Sequence, residues 1–190
     1  MSNNSMINQE YVKSLTSFTD TFLCDLEDNI YIKFTKLSLK SISYNNPKKQ
    51  ETILELNINS DNIDENIIKK SKEIKDIYKN PRMIRYHLRK DILDNNLKFT
   101  FEYKNDSKTG LTLSMIENHY YNNKQINQLN HNFGFCIPNS KNSQEIIYKL
   151  HSYKYEELLK TRGPIEIKTD TFFFAGNELI IHNKTLFYFS

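Results

Sequence analysis

The chain has 190 residues, 38% of them hydrophobic, and its 26 basic and 23 acidic side chains are mixed along the sequence for a net charge of +3. This composition suits one domain around a single sizeable core and lacks the basic stripe that a nucleic-acid surface needs. Cys24 and Cys136 are too few and too far apart for a disulfide framework or a zinc site, and no apolar run approaches the length of a membrane span.

The opening MSNNSMINQE has neither the charged nor the apolar region of a signal peptide, so a reduced, cytosolic setting is expected. Ser2 stands where an N-myristoylation substrate has glycine. Tyr11, Val12, Leu15 and Phe18 fall at helical spacing and predict a short helix over residues 9–18. From Ile30 the period becomes two. Ile30, Ile32 and Phe34 share one face, Leu37 and Leu39 follow on the other parity, and a bulge near Thr35 and Lys36 would turn both sets inward.

Further strand-like runs are ETILELNI (51–58), RMIRYHL (82–88), LKFTFEY (97–103), GLTLSMIENHYY (110–121), QINQLNHNFGFCI (125–137), IEIKTDTFFF (165–174) and ELIIHNKTLFYF (178–189), separated in several places by turn signals such as NPKK, DNN, KNDSKTG and AGN. About eight regular strands with little helix predict an antiparallel sandwich. Residues 60–80 interrupt the pattern with charge and with Ile63, Ile67, Ile74 and Ile77 at roughly helical spacing, which reads as a surface insertion. YKYEELLKTR (153–162), closed by Gly163 and Pro164, predicts a second short helix. Residues 1–23 are expected to form an N-terminal extension, and residues 24–190 the domain.

Phe133, Phe135 and Ile137 alternate with Asn132, Gly134 and Cys136, so the large side chains are expected on one strand face, ended by Pro138. No metalloprotease, P-loop, nucleophile-elbow or dinucleotide pattern is present, and four glycines leave little for a phosphate cradle. No catalytic residue, metal site or cofactor is indicated. His119, His131, His151 and His182 could meet in space, but scattered histidines are more often structural. Cys136 reads as a small buried hydrophobe, with no basic neighbour to activate its thiol.

On GLTLSMIENHYY, Glu117 shares a parity with Leu111, Leu113, Met115, His119 and Tyr121. Buried, such a carboxylate needs partners. Two readings stay open at this point: an exposed carboxylate at the strand end, or one at the mouth of an apolar cavity that binds a ligand's polar end.

MIENHYY (115–121), NFGFCIPNSKNS (132–143), EIIY (145–148), TDTFFF (169–174) and LIIHNK (179–184) together resemble the phosphodiesterase delta-subunit-like (GMP-PDE delta) family of lipid-binding chaperones, most of all its uncoordinated-locomotion (UNC) branch, the carriers of N-myristoylated proteins. EDNIYIKFTKLSLK (27–40) and RMIRYHL add support, while residues 41–80 diverge. The resemblance implies an immunoglobulin-like β-sandwich with an apolar tunnel between the sheets and short peripheral helices. Phe133 and Phe135 then belong to the strand core, and NSKN marks the turn that follows. Leu37, Leu39, Tyr86, Ile92, Met115, Leu129, Tyr148, Leu150 and Phe173 would line the tunnel, and Glu117, His119 and Thr171 would meet the cargo's first residues. Leu37, Ile92, Leu129 and Leu150 stand where the branch usually has Phe, and Phe173 where it has Tyr, which alters tunnel width and removes a hydroxyl.

The implied function is that of a monomeric carrier with no enzymatic activity, no cofactor and no stable membrane insertion. It would shield the acyl chain of an N-myristoylated protein and deliver the protein to membranes, with release by an ARF-like small GTPase in its GTP form, in the cytoplasm or a cilium or flagellum. A prenyl carrier of the delta-subunit type and a protein-interaction sandwich without a cavity are the alternatives.

Overall fold

The computed structural model describes residues 7–24, 31–57, 76–77, 83–149, 155, 158 and 160–190. The elements in chain order are α1 (Gln9–Lys13), β1 (Ile32–Ile42), β2 (Gln50–Asn57), β3 (Asp76–Ile77), β4 (Met83–Leu88), a 3₁₀ turn (Lys90–Asp94), β5 (Asn96–Asn105), β6 (Leu111–Tyr121), β7 (Lys124–Cys136), β8 (Ser140–Lys149), β9 (Ile165–Ala175) and β10 (Glu178–Phe189). They form an immunoglobulin-like β-sandwich. A four-stranded sheet, ordered β2-β1-β5-β8, faces a six-stranded sheet, ordered β3-β4-β10-β9-β6-β7. All pairings are antiparallel except β4 with β10.

The bulge expected in β1 is present: its pairing with β5 shifts between Phe34 and Lys36, which leaves Leu37 and Leu39 facing the interior. The β6–β7 hairpin turns through Asn122 and Asn123, both in the left-handed region at φ 49° and 60°, as a tight two-residue hairpin requires.

Four local expectations are corrected. The first helix ends at Lys13 rather than near residue 18, because Ser14 caps it and the chain then runs flat over the six-stranded sheet. The polar SKN stretch is not a turn: Ser140–Lys149 is a full edge strand paired with β5, and the turn is confined to residues before it, where Asn139 has φ 53°. Asp76–Ile77 pairs with β4 as a short strand, and the rest of the expected insertion lies outside the described residues. Tyr155 and Leu158 have helical backbone, residues 160–162 of the second predicted helix do not, and the rest of that helix lies outside the described residues.

The fourth correction concerns Phe135 and Ile137, which are 68% and 62% exposed. On β7 the register with β6 slips between Asn132 and Gly134, so that Phe133 is the extra residue. Gly134 takes φ 77°, a conformation that side-chain-bearing residues rarely adopt. One inserted residue reverses the parity. Before the bulge Phe133 points inward onto Phe101 and Phe173. After it Cys136 points inward, and Phe135 turns out over Gly110.

The interior divides into two apolar clusters. One gathers Leu39, Tyr86, Leu88, Ile92, Leu97, Leu158 and Ile167. The other gathers Phe101, Tyr103, Leu113, Met115, Cys136, Ile146 and Phe173. Leu37, Phe99 and Tyr148 pack against both and join them.

The outer face of the six-stranded sheet is covered by the N-terminal residues, whose Ile7, Val12, Leu15 and Leu23 pack on Ile116, Phe172, Phe174 and Leu179. Buried charge fixes this cover. Asp170 accepts hydrogen bonds of 2.9 Å from both the backbone N–H and the hydroxyl of Thr19, meets His182 Nε2 at 3.0 Å and Lys184 Nζ at 3.4 Å. Lys184 donates to the Thr19 carbonyl and lies 4.0 Å from the Phe18 ring centre. Leu23 N–H donates to His182 Nδ1 over 3.0 Å.

Candidate functional site

Strand alternation places Leu113, Met115, Glu117 and His119 on the inner face of β6, between the sheets, and Ile116 and Asn118 on the outer face beneath the N-terminal cover. Glu117 is therefore mid-strand and only 7% exposed, which rules out the reading of an exposed strand-end carboxylate. Its register partners are Leu129 on β7 and Thr171 on β9.

The carboxylate is held by groups from both sheets. Glu117 Oε1 lies 2.5 Å from His119 Nε2. Oε2 accepts from the Thr171 hydroxyl over 2.9 Å and from the Tyr148 hydroxyl over 3.3 Å. Tyr148 belongs to the opposite sheet, so this last bond spans the sandwich. Burial disfavours the charged carboxyl, but the donors on His119, Thr171 and Tyr148 outweigh it and hold Glu117 below the ordinary glutamate range. Burial, reinforced by the Glu117 charge, pushes the Tyr148 phenol well up. An ionised carboxylate offers about four lone-pair sites. Among the described residues three are occupied.

Leu39, Tyr86, Ile92, Met115 and Phe173 are all buried in the two clusters. Tyr86 stacks on Phe187 with ring centres 5.2 Å apart. Leu37 and Tyr148 are half-buried at the junction of the clusters, beside Glu117 in the case of Tyr148. Leu129 is half-buried opposite Glu117. Leu150 lies outside the described residues.

Among the described residues the histidines do not converge, and His151 lies outside them. His119 and His131 belong to the inner region, whereas His182 is on the outer face, stacked on Phe172 at 4.4 Å. His131 stacks on Phe133 and has a buried Nε2 with no hydrogen-bond partner among the described residues; burial lowers its pKa against the pull of Glu117.

Sequence reading missed Tyr155, whose hydroxyl is 2.5 Å from His119 Nδ1 and 3.4 Å from Asn127 Nδ2. The only signal for it was the three-residue spacing of Tyr155 and Leu158, which puts both on one helix face. Cys136 is buried, its sulfur 3.1 Å from the Tyr103 hydroxyl.

Residues 27–189 match the family described as GMP-PDE, delta subunit. The chain belongs to this family, a family of lipid-binding chaperones rather than enzymes. It is 31% identical over 182 residues to Protein unc-119 homolog B-B of Xenopus laevis, a match covering 92% of this chain and 70% of that protein. Protein unc-119 homolog B of Homo sapiens is 30% identical over 94% of this chain and 70% of its own length. Protein unc-119 of Caenorhabditis elegans is 27% identical over 91% and 75%. As a member of the GMP-PDE delta-subunit family, the chain carries the matched region across every strand of the described residues, from β1 to β10. Among the described residues there is no cluster of three or more His, Cys, Asp or Glu side chains able to hold a metal ion, and no helix is long and apolar enough to cross a membrane.

Proposed function

We propose that this protein is a cytoplasmic, monomeric carrier of N-myristoylated proteins. It takes the acyl chain between the two sheets, along a path lined by Leu37, Leu39, Tyr86, Ile92, Met115, Leu129, Tyr148, Leu150 and Phe173. Glu117, His119 and Thr171 meet the first residues of the cargo. The observation that carries this reading is the ionised Glu117 carboxylate at the junction of two apolar clusters, with one acceptor site left for an incoming N–H. An acylated N-terminus offers such a group, because a backbone amide follows the hydrocarbon directly.

Burying a methylene contributes about 0.8 kcal/mol, so a myristoyl chain contributes roughly 10 kcal/mol before association costs are subtracted. One myristoyl chain holds a bilayer only marginally, and a soluble carrier can compete with it. Release follows binding of an ARF-like small GTPase in its GTP form outside the lipid path; a coupling of about 2.7 kcal/mol lowers cargo affinity roughly a hundredfold. A cilium or flagellum is a destination consistent with such a trafficking role.

Fluorescence titration with matched myristoylated and farnesylated peptides tests the reading. Tighter binding of the myristoylated peptide is expected. Equal or tighter farnesyl binding assigns the protein to prenyl carriage, and binding of neither leaves a protein-interaction sandwich.

A further inference from the structure

His119, which holds Glu117, is itself held from behind. An ionised carboxylate can only accept hydrogen bonds. The 2.5 Å contact between Glu117 Oε1 and His119 Nε2 therefore requires the proton on Nε2. In a neutral imidazole Nδ1 is then the acceptor. The group 2.5 Å from Nδ1 is the buried Tyr155 hydroxyl. Burial raises its pKa, so the phenol keeps its proton and can donate it. Asn127, opposite His119 in the β6–β7 register, points its amide nitrogen at the same phenol oxygen from 3.4 Å. The donors all run one way, from Asn127 to Tyr155, from Tyr155 to His119, and from His119 to Glu117.

We propose that Tyr155 is a positioning residue for cargo binding: it locks His119 as the Nε2–H tautomer, which orients the Glu117 carboxylate so that its remaining lone pair meets the first backbone amide of the cargo. This inference rests on the carrier reading above. Without the phenol, no donor among the described residues faces Nδ1, and the Nε2–H tautomer rests on the Glu117 contact alone. In the other tautomer two lone pairs would face each other across the Glu117–His119 contact, and the carboxylate would turn toward Thr171 and Tyr148, the donors it keeps.

The test uses the full chain labelled with ¹⁵N-histidine, compared with Tyr155→Phe, which keeps the ring and removes only the hydroxyl. Long-range proton–nitrogen correlation spectra near neutral pH report the tautomer, and the His119 signals are identified by their loss in His119→Gln. The wild type should show a single neutral Nε2–H imidazole, and Tyr155→Phe a population shifted part-way toward the Nδ1–H form. In parallel, affinity for a myristoylated peptide should fall about three- to tenfold in Tyr155→Phe, the effect of one hydrogen bond. Affinity for free myristate, which lacks the amide, should change by less than about twofold.

A wild-type His119 that is the Nδ1–H tautomer or doubly protonated overturns the proposal whatever the variant does. So does a Tyr155→Phe protein that keeps both tautomer and peptide affinity. If the tautomer shifts as expected but the wild type takes up no acylated peptide, the carrier reading is overturned and Tyr155 is reduced to structural support for His119.

Discussion

Replacing Glu117 with alanine separates cargo recognition from lipid burial. Three of about four acceptor sites on the carboxylate are taken by His119, Thr171 and Tyr148, which leaves one for the cargo. A single hydrogen bond to a charged group contributes about 1.5–3 kcal/mol, so Glu117→Ala should weaken binding of a myristoylated peptide roughly tenfold to a hundredfold. Free myristate has no amide to lose, and removal of a negative charge favours its carboxylate; its affinity should fall far less.

The same substitution strands three donors, on the buried His119 and Thr171 and the half-buried Tyr148. Each unpaired group costs about 1–3 kcal/mol, offset in part because the carboxylate no longer has to be desolvated, so stability should fall by about 2–4 kcal/mol. Titration of a fluorescent peptide and of myristate, with a denaturant melt on the same sample, reads all three quantities. Unchanged peptide affinity in a folded variant would refute the reasoning, since Glu117 would then be a structural carboxylate satisfied by the protein alone.

Three other outcomes are expected. Because the Glu117 pKa is depressed on folding, its contribution to stability is fully present above the ordinary glutamate value of 4.5 and is lost as pH falls through the lower folded value; Glu117→Gln should therefore flatten the acid limb of stability measured against pH. Asp170→Ala leaves Lys184 buried without its carboxylate and removes both bonds to Thr19, so about 3–5 kcal/mol should be lost. Hydrogen exchange would detect the released cover as faster exchange at Thr19 and Leu23, and unaltered protection there would contradict the assigned role of Asp170. Cys136 should react with a thiol reagent only on unfolding, while the half-buried Cys24 is modified first; mass spectrometry of peptides after brief labelling distinguishes the two sites.

Alternation by itself determined most of this protein. A strand has a side-chain period of two whatever it pairs with, so the runs from LKFTFEY to ELIIHNKTLFYF declared themselves locally, as did the inward parity of Met115, Glu117 and His119. The bulge at Thr35 was legible because the apolar parity visibly changes across it. At Gly134 the same device was hidden, since Phe133 and Phe135 read as one continuous face until the backbone turns through a positive φ. Strand β8 escaped notice because it is an edge strand with mostly polar side chains, whose inward face has only Ile146 and Tyr148 as apolar residues beside the half-buried Asn142 and Gln144.

Pairing and contact were decided by tertiary structure alone. Nothing local to Thr19, Asp170, His182 and Lys184 brings together residues more than 150 positions apart in the case of Thr19 and Asp170, and nothing local to Tyr155 points it at His119. Such contacts depend on how two sheets and their crossings stack, and that arrangement follows from burying every apolar face at once. The sequence could therefore single out Glu117 as a carboxylate in an apolar row, while its ionised state depends on His119 of its own strand and on donors delivered by two other strands, Thr171 on β9 and Tyr148 on β8.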